Sequence, residues 1–158
     1  MKHLKYILAL VLLTGTIFSW YTVTNDFIKF YDTEGTILKV ENCVIPNPVT
    51  TPCFYGAFAF LGAFFWSLYI LLIGEDKQKR NYKFLTRFLV AGNIFAWSNF
   101  SIIAVRFIKN AEKPVLGCSG QITANPLTTP CFIGASIFLT SLIISSIIIW
   151  RNKKMIKF

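Results

Sequence analysis

An eleven-residue stretch, Asn47-Pro48-Val49-Thr50-Thr51-Pro52-Cys53-Phe54-Tyr55-Gly56-Ala57, returns as Asn125-Pro126-Leu127-Thr128-Thr129-Pro130-Cys131-Phe132-Ile133-Gly134-Ala135. Nine of the eleven positions are identical, at an offset of 78 in a chain of 158 residues. Chance does not give such a match at half the chain length, and an internal duplication does. Within two residues of that offset, Gly15 to Trp20 matches Gly92 to Trp97, Phe27-Ile28-Lys29 matches Phe107-Ile108-Lys109, and Glu34 and Leu38 match Glu112 and Leu116. The unit is a helix, a loop with two cysteines and a second helix, used twice. The copies cover about residues 1–82 and 83–158 of a single domain.

What surrounds the repeated stretch is too apolar for a soluble domain. Hydrophobic residues make up 54% of the chain and aromatic ones 16%, and they gather into four nearly uncharged blocks of about 20 residues, the length that crosses a bilayer. The expected fold is all-α: a polytopic membrane protein whose four transmembrane helices form a bundle from two parallel helix-loop-helix repeats. Parallel repeats are related by an axis along the membrane normal.

The net charge of +9 fits this topology and not a nucleic-acid partner. Eleven of the sixteen Lys and Arg fall at the N-terminal tip (Lys2, Lys5), between Glu75 and Arg87, and from Arg151 onward, with two acidic residues among them. The connections 24–52 and 106–130 hold five basic and five acidic residues. Basic residues collect on the cytoplasmic side, so both termini and the 75–83 loop are expected inside and the cysteine loops outside, in a bacterial plasma membrane. The bilayer is then the partner, with anionic headgroups near the basic side.

The first apolar block, Tyr6 to Val23, follows a basic tip as a signal peptide would. No small-residue cleavage site follows it, and its Gly15 to Trp20 segment has a counterpart deep in the second half, so it reads as a retained span. Residues 24–52 read as an outer loop with a short interfacial helix or hairpin, and Asp32-Thr33-Glu34-Gly35 as a turn. Thr51-Pro52 and Thr129-Pro130 each read as an N-cap followed by the first helical residue. Span two runs from Phe54 to Ile73, with Gly56, Ala59, Gly62 and Ala63 as a small-residue face for helix packing. Span three, about Phe84 to Val105, carries Asn93, Ser98, Asn99 and Ser101. Span four runs from Phe132 to Trp150, with Ser136, Thr140, Ser141 and Ser145 available to neighbouring helices.

All four cysteines (Cys43, Cys53, Cys118 and Cys131) lie in the outer loops or at the helix starts facing them. Outside a membrane, paired thiols are usually oxidised. The repeat suggests Cys43–Cys53 and Cys118–Cys131, although four cysteines allow three pairings. Two structural bridges would each stabilise the loops by roughly 3 kcal/mol. Alternatively, Cys53 and Cys131 sit at helix N-termini, where the dipole and N–H groups favour a thiolate, and this suits thiol–disulfide exchange. A four-cysteine metal site lacks the short ligand spacing of zinc sites and has no histidine beside it. A third class, a small-solute or lipid carrier, requires a polar cavity between the repeats.

In layout, with four spans, inner termini and two outer loops each bearing a cysteine pair, the chain resembles the bacterial disulfide-bond-formation membrane oxidoreductases and the related vitamin-K-epoxide-reductase-like proteins. Those carry a C-x-x-C pair beside a quinone; here no C-x-x-C occurs and the two pairs are near-equivalent. The resemblance implies Cys53 and Cys131 nearest a membrane cofactor, a quinone, with Cys43 and Cys118 as loop partners and an extracytoplasmic thiol protein or membrane partner as substrate. No Ser-His-Asp set, P-loop or dinucleotide fingerprint is present, and the spans as drawn contain no acidic residue for a proton or cation path.

Overall fold

The computed structural model describes residues 2–40, 43–109, 115–116, 122–123 and 125–154. Four helices account for most of them: Lys2–Glu34 (α1), Pro52–Leu72 (α2), Glu75–Lys109 (α3) and Pro130–Lys154 (α4). Between α3 and α4, Val115–Leu116 (β1) pairs antiparallel with Ile122–Thr123 (β2), Val115 opposite Thr123 and Leu116 opposite Ile122. All four helices are long and apolar enough to cross a membrane. Even α2, the shortest at 21 residues, extends about 31 Å at the helical rise, matching the hydrocarbon thickness of a bilayer.

Each helix packs against two neighbours: α1 against α2 and α4, and α3 against the same two, while α2 and α4 touch across the middle. Leu8 and Leu12 of α1, Phe60, Ala63 and Ile70 of α2, Tyr82, Leu85 and Leu89 of α3, and Phe138 and Ile148 of α4 form one buried core. Many other large apolar side chains face outward, among them Tyr6, Leu10, Ile17, Phe65, Leu72 and Ile94. An apolar exterior on this scale is unlike that of a soluble domain and compatible with lipid contact.

The first helix departs from the expected boundaries. It does not stop near Val23 but continues to Glu34, so the segment read as loop or hairpin adds roughly three more turns. No Pro or Gly interrupts residues 24–34, and Ser19, Thr22, Val23, Asp26 and Phe30 form a buried face at helical spacing. The turn expected at Asp32–Gly35 is the helix end. Gly35 takes a φ of 69°, and its N–H donates to Tyr31 O at 2.8 Å, as a glycine C-terminal stop does. On the other side of the bundle, residues 75–83 are not a loop: α3 begins at Glu75, only Ile73 and Gly74 separate it from α2, and Lys5 Nζ of α1 donates to Gln78 Oε1.

Close helix approach also occurs at other glycines than expected. Gly62 of the proposed small-residue face has no heavy atom within 4 Å of where a Cβ would stand, whereas at Gly15 such a Cβ would lie 2.4 Å from the Phe60 ring and at Gly92 2.8 Å from the Phe138 ring. Ala63 of that face is buried, and Ala59 packs against the core. Of the α4 hydroxyls, Ser145 bonds across to Thr86 Oγ1 at 2.6 Å. Ser136, Thr140 and Ser141 instead donate to carbonyls in their own helix.

Candidate functional site

The repeated stretch builds the same junction twice. Asn47 Oδ1 accepts from Val49 N at 3.0 Å, and Asn125 Oδ1 from Leu127 N at 2.9 Å. Each asparagine opens a single 3-10 turn, Pro48–Thr50 or Pro126–Thr128. The next two threonines tie the turn to itself: Thr50 Oγ1 donates to Asn47 O and Thr51 Oγ1 to Pro48 O, both at 2.7 Å. Thr128 and Thr129 do the same at 2.9 and 2.6 Å. Thr51 Oγ1 then accepts from Phe54 N, and Thr129 Oγ1 from Phe132 N, each at 3.4 Å. Proline at the first helical position follows, because its missing N–H would have no partner there. The asparagine and the two threonines shared by both copies therefore fix where the following cysteine sits, at the second position of its helix.

The two junctions face one another. Cys53 Sγ and Cys131 Sγ lie 3.9 Å apart, in the wall of a cleft of about 70 Å³ between the helices. Pro52 and Pro130 flank the sulfurs, Ser19 and Thr22 of α1 and Phe95 of α3 supply the sides, and Phe60 and Phe138 line it as well. Cys131 is disulfide-bonded, its partner sulfur lying outside the described residues, as Cys118 does. Cys43 and Cys53 stand as thiols, so the expected bond between them is not formed in this structure.

Cys43 is held by the loop between α1 and α2. Its Sγ donates to Lys39 O at 3.5 Å, and Asn47 Nδ2 donates to the same carbonyl at 2.7 Å. Lys39 pairs with Glu34 at the end of α1, whose carboxylate also accepts from Val44 N. The hydrogen bond that Lys39 donates to the Glu34 carboxylate raises its ammonium above its ordinary pKa.

One residue of the site was not anticipated. Asp26, 3% exposed, lies one turn beyond Thr22 on α1 and acts electrostatically on the Cys53 thiol. The neighbouring Phe27 ring meets Phe54 of α2 at a centroid distance of 6.2 Å, which places this turn of α1 level with the start of α2. The signal for Asp26 in the sequence is helical spacing with Ser19, Thr22, Val23 and Phe30, a face that continues beyond Val23 into the segment expected to be a loop.

Chemically, the arrangement offers a thiol beside a disulfide sulfur in an apolar cleft. The cleft does not fit the quinone implied by the layout. At about 70 Å³ it falls well below the roughly 300–1,000 Å³ of pockets that enclose a small molecule. Among the described residues, no three His, Cys, Asp or Glu side chains converge as metal ligands. No family model, no curated protein and no solved structure matches this chain.

Proposed function

We propose that this protein is an integral membrane thiol–disulfide oxidoreductase in which electrons pass between the two repeats through Cys53 and Cys131. The observation that carries the reading is the 3.9 Å separation between the Cys53 thiol and the disulfide-bonded Cys131 sulfur. An attacking thiolate must reach a disulfide sulfur directly, and these atoms need to close by only about 2 Å to reach bonding distance.

The step balances without an outside reagent. Cys53 Sγ loses its proton and attacks Cys131 Sγ, the Cys53–Cys131 bond forms, and the bond from Cys131 to its partner breaks. That partner sulfur leaves with the electron pair and takes up a proton. The repeat pairing makes Cys118 the leaving group, and its thiol in the outer loop, once deprotonated again, reduces a further disulfide. Continuing in the same direction, the Cys43 thiol, the partner suggested by the repeat, attacks Cys53 of the new bond, so that Cys43–Cys53 forms and Cys131 leaves with the electron pair. Both sulfurs sit in the first turn of a helix, while burial in the apolar cleft opposes a resting anion on Cys53. Proposed as facing outward, opposite the basic segments, the cleft would serve extracytoplasmic thiol proteins or a membrane partner.

Thiol trapping in isolated membranes against a graded redox buffer tests the function. A cysteine pair that equilibrates between roughly −120 and −270 mV behaves as an exchange catalyst. Disulfides that resist reduction to below about −300 mV are structural bridges, and that result would remove the enzyme reading.

A further inference from the structure

The second step of the exchange needs Cys43 brought to Cys53, ten residues further along the chain. One side chain is bonded to both segments. Asn47 is buried, at 3% exposure, and both ends of its amide are in use. Its Oδ1 accepts from Val49 N at 3.0 Å and so opens the 3-10 turn that leads to Thr51 and Cys53. Its Nδ2 donates to Ile37 O at 3.2 Å and to Lys39 O at 2.7 Å. The Lys39 carbonyl also accepts from Cys43 Sγ at 3.5 Å. From the loop thiol to the helix start, the connection therefore runs from Cys43 Sγ through Lys39 O and the Asn47 amide to Val49 N.

Capping the turn does not by itself call for an amide. Asp or Ser supplies a capping oxygen about as well as Asn, but only the amide sets two N–H donors beside that oxygen. A separate hold on Cys43 comes from the end of α1, where Glu34 accepts from Lys39 Nζ and from Val44 N, the residue after the cysteine. Those bonds close the loop around the thiol, and Asn47 ties the closed loop to the junction. Resting on the exchange reading above, we propose that Asn47 is the positioning residue that holds Cys43 for its attack on Cys53 of the Cys53–Cys131 bond. It acts through the Lys39 carbonyl and takes no part in the bond changes. In that step Cys43 gives its S–H proton to water, the Cys43–Cys53 bond forms and the Cys53–Cys131 bond breaks. Cys131 leaves with the electron pair and takes up a proton, so atoms and electrons balance with no outside oxidant. Holding the loop thiol on the same short scaffold as Cys53 replaces a chance encounter by an oriented one.

The experiment follows both bonds in full-length protein in membranes. Protein with Cys43 and Cys53 as thiols and Cys131 oxidised is brought from acid to pH 8, quenched in acid at intervals, alkylated and analysed by mass spectrometry. Substitution Asn47→Asp keeps the shape and the capping oxygen and removes both donors. Asn47→Ser keeps a capping oxygen without a charge, and serves where a buried carboxylate prevents folding. Loss of two hydrogen bonds is expected to slow Cys43–Cys53 formation by about tenfold or more relative to Cys53–Cys131 formation, so that the Cys53–Cys131 bond accumulates. A tenfold loss of effective concentration also raises the reduction potential of the Cys43–Cys53 pair by about 30 mV, which a weakened cap alone would not do. A wild-type ratio of the two rates in either folded variant overturns the assignment and leaves Asn47 a cap of the turn. Wild-type protein that forms Cys53–Cys131 but never Cys43–Cys53 overturns it as well. If wild-type protein forms no Cys53–Cys131 bond at all, the exchange reading falls and Asn47 falls with it.

Discussion

The phenyl rings of Phe60 and Phe138, 78 residues apart in the chain, meet with centroids 4.0 Å apart at an interplanar angle of 33°. Each ring lies against a glycine of a different helix, Phe60 on Gly15 and Phe138 on Gly92, so corresponding residues of the two similar halves make corresponding contacts. This stack lies where α2 and α4 approach, and the cysteine cleft borders it.

Substitution Gly15→Ala would bring a methyl group to within 2.4 Å of the Phe60 ring and displace that ring from Phe138. The expected cost is about 1–3 kcal/mol, as for overpacked cores, read as a lower midpoint of thermal unfolding in detergent. Gly62→Ala meets nothing within 4 Å and is expected to be neutral or slightly stabilising, since alanine favours helix over glycine. Equal losses for both would mean that the stack does not hold the bundle.

The caps are the second target. Thr51→Ala and Thr129→Ala each remove the hydroxyl that accepts from the third residue of its helix, a loss of about 1 kcal/mol apiece. Thr51→Ser and Thr129→Ser should restore most of it. Because the same hydroxyl donates back to the 3-10 turn, the alanine variants should also slow Cys53–Cys131 bond formation. Unaltered exchange in both would show that the caps serve stability alone.

Much of this was legible in the chain. The eleven-residue repeat marks both junctions, and Thr51-Pro52 and Thr129-Pro130 mark the helix starts, because cap and proline chemistry is local. The end of α1 was not legible from hydropathy: Asp26, Asp32 and Glu34 lower the apolar average just where the helix continues, and its persistence depends on Phe30 and Val23 packing against other elements. The meeting of Cys53 and Cys131 was also out of reach. Similar halves imply equivalent positions, but only the packing of α2 across to α4 decides that two equivalent sulfurs meet. Sequence reasoning paired each with its own loop cysteine.

The hydrogen bond between Thr86 and Ser145, at 2.6 Å, joins α3 to α4. Ser145→Ala should cost about 0.6 kcal/mol, the typical value for such a bond between helices in a membrane, measured as a shift in the unfolding midpoint. A loss of several kcal/mol would mean that Ser145 takes part in a larger polar network.

At the loop, the Lys39–Glu34 pair holds the segment that carries Cys43. Lys39 gains its partner on folding and its pKa rises above 10.5, so its contribution is complete below that pH and is lost as pH climbs through the raised value. At pH 8, Lys39→Met should let iodoacetamide reach Cys43 about two- to fivefold faster, the modest effect of an exposed ion pair. Above the raised Lys39 pKa, wild type and variant should converge. A gap that persists in strong alkali would assign the effect to packing of the lysine stem.

The most direct test of the exchange itself is to find the bond it forms. Full-length protein in membranes would be poised between roughly −120 and −270 mV, the range of exchange catalysts, quenched in acid, alkylated and digested without reduction. The account predicts a peptide carrying Cys53 joined to one carrying Cys131, its abundance changing with the potential as the Cys131–Cys118 linkage falls or rises. If Cys53 is alkylated at every potential and no such joined peptide appears, the two sulfurs are neighbours without chemistry, and the proposed function is wrong.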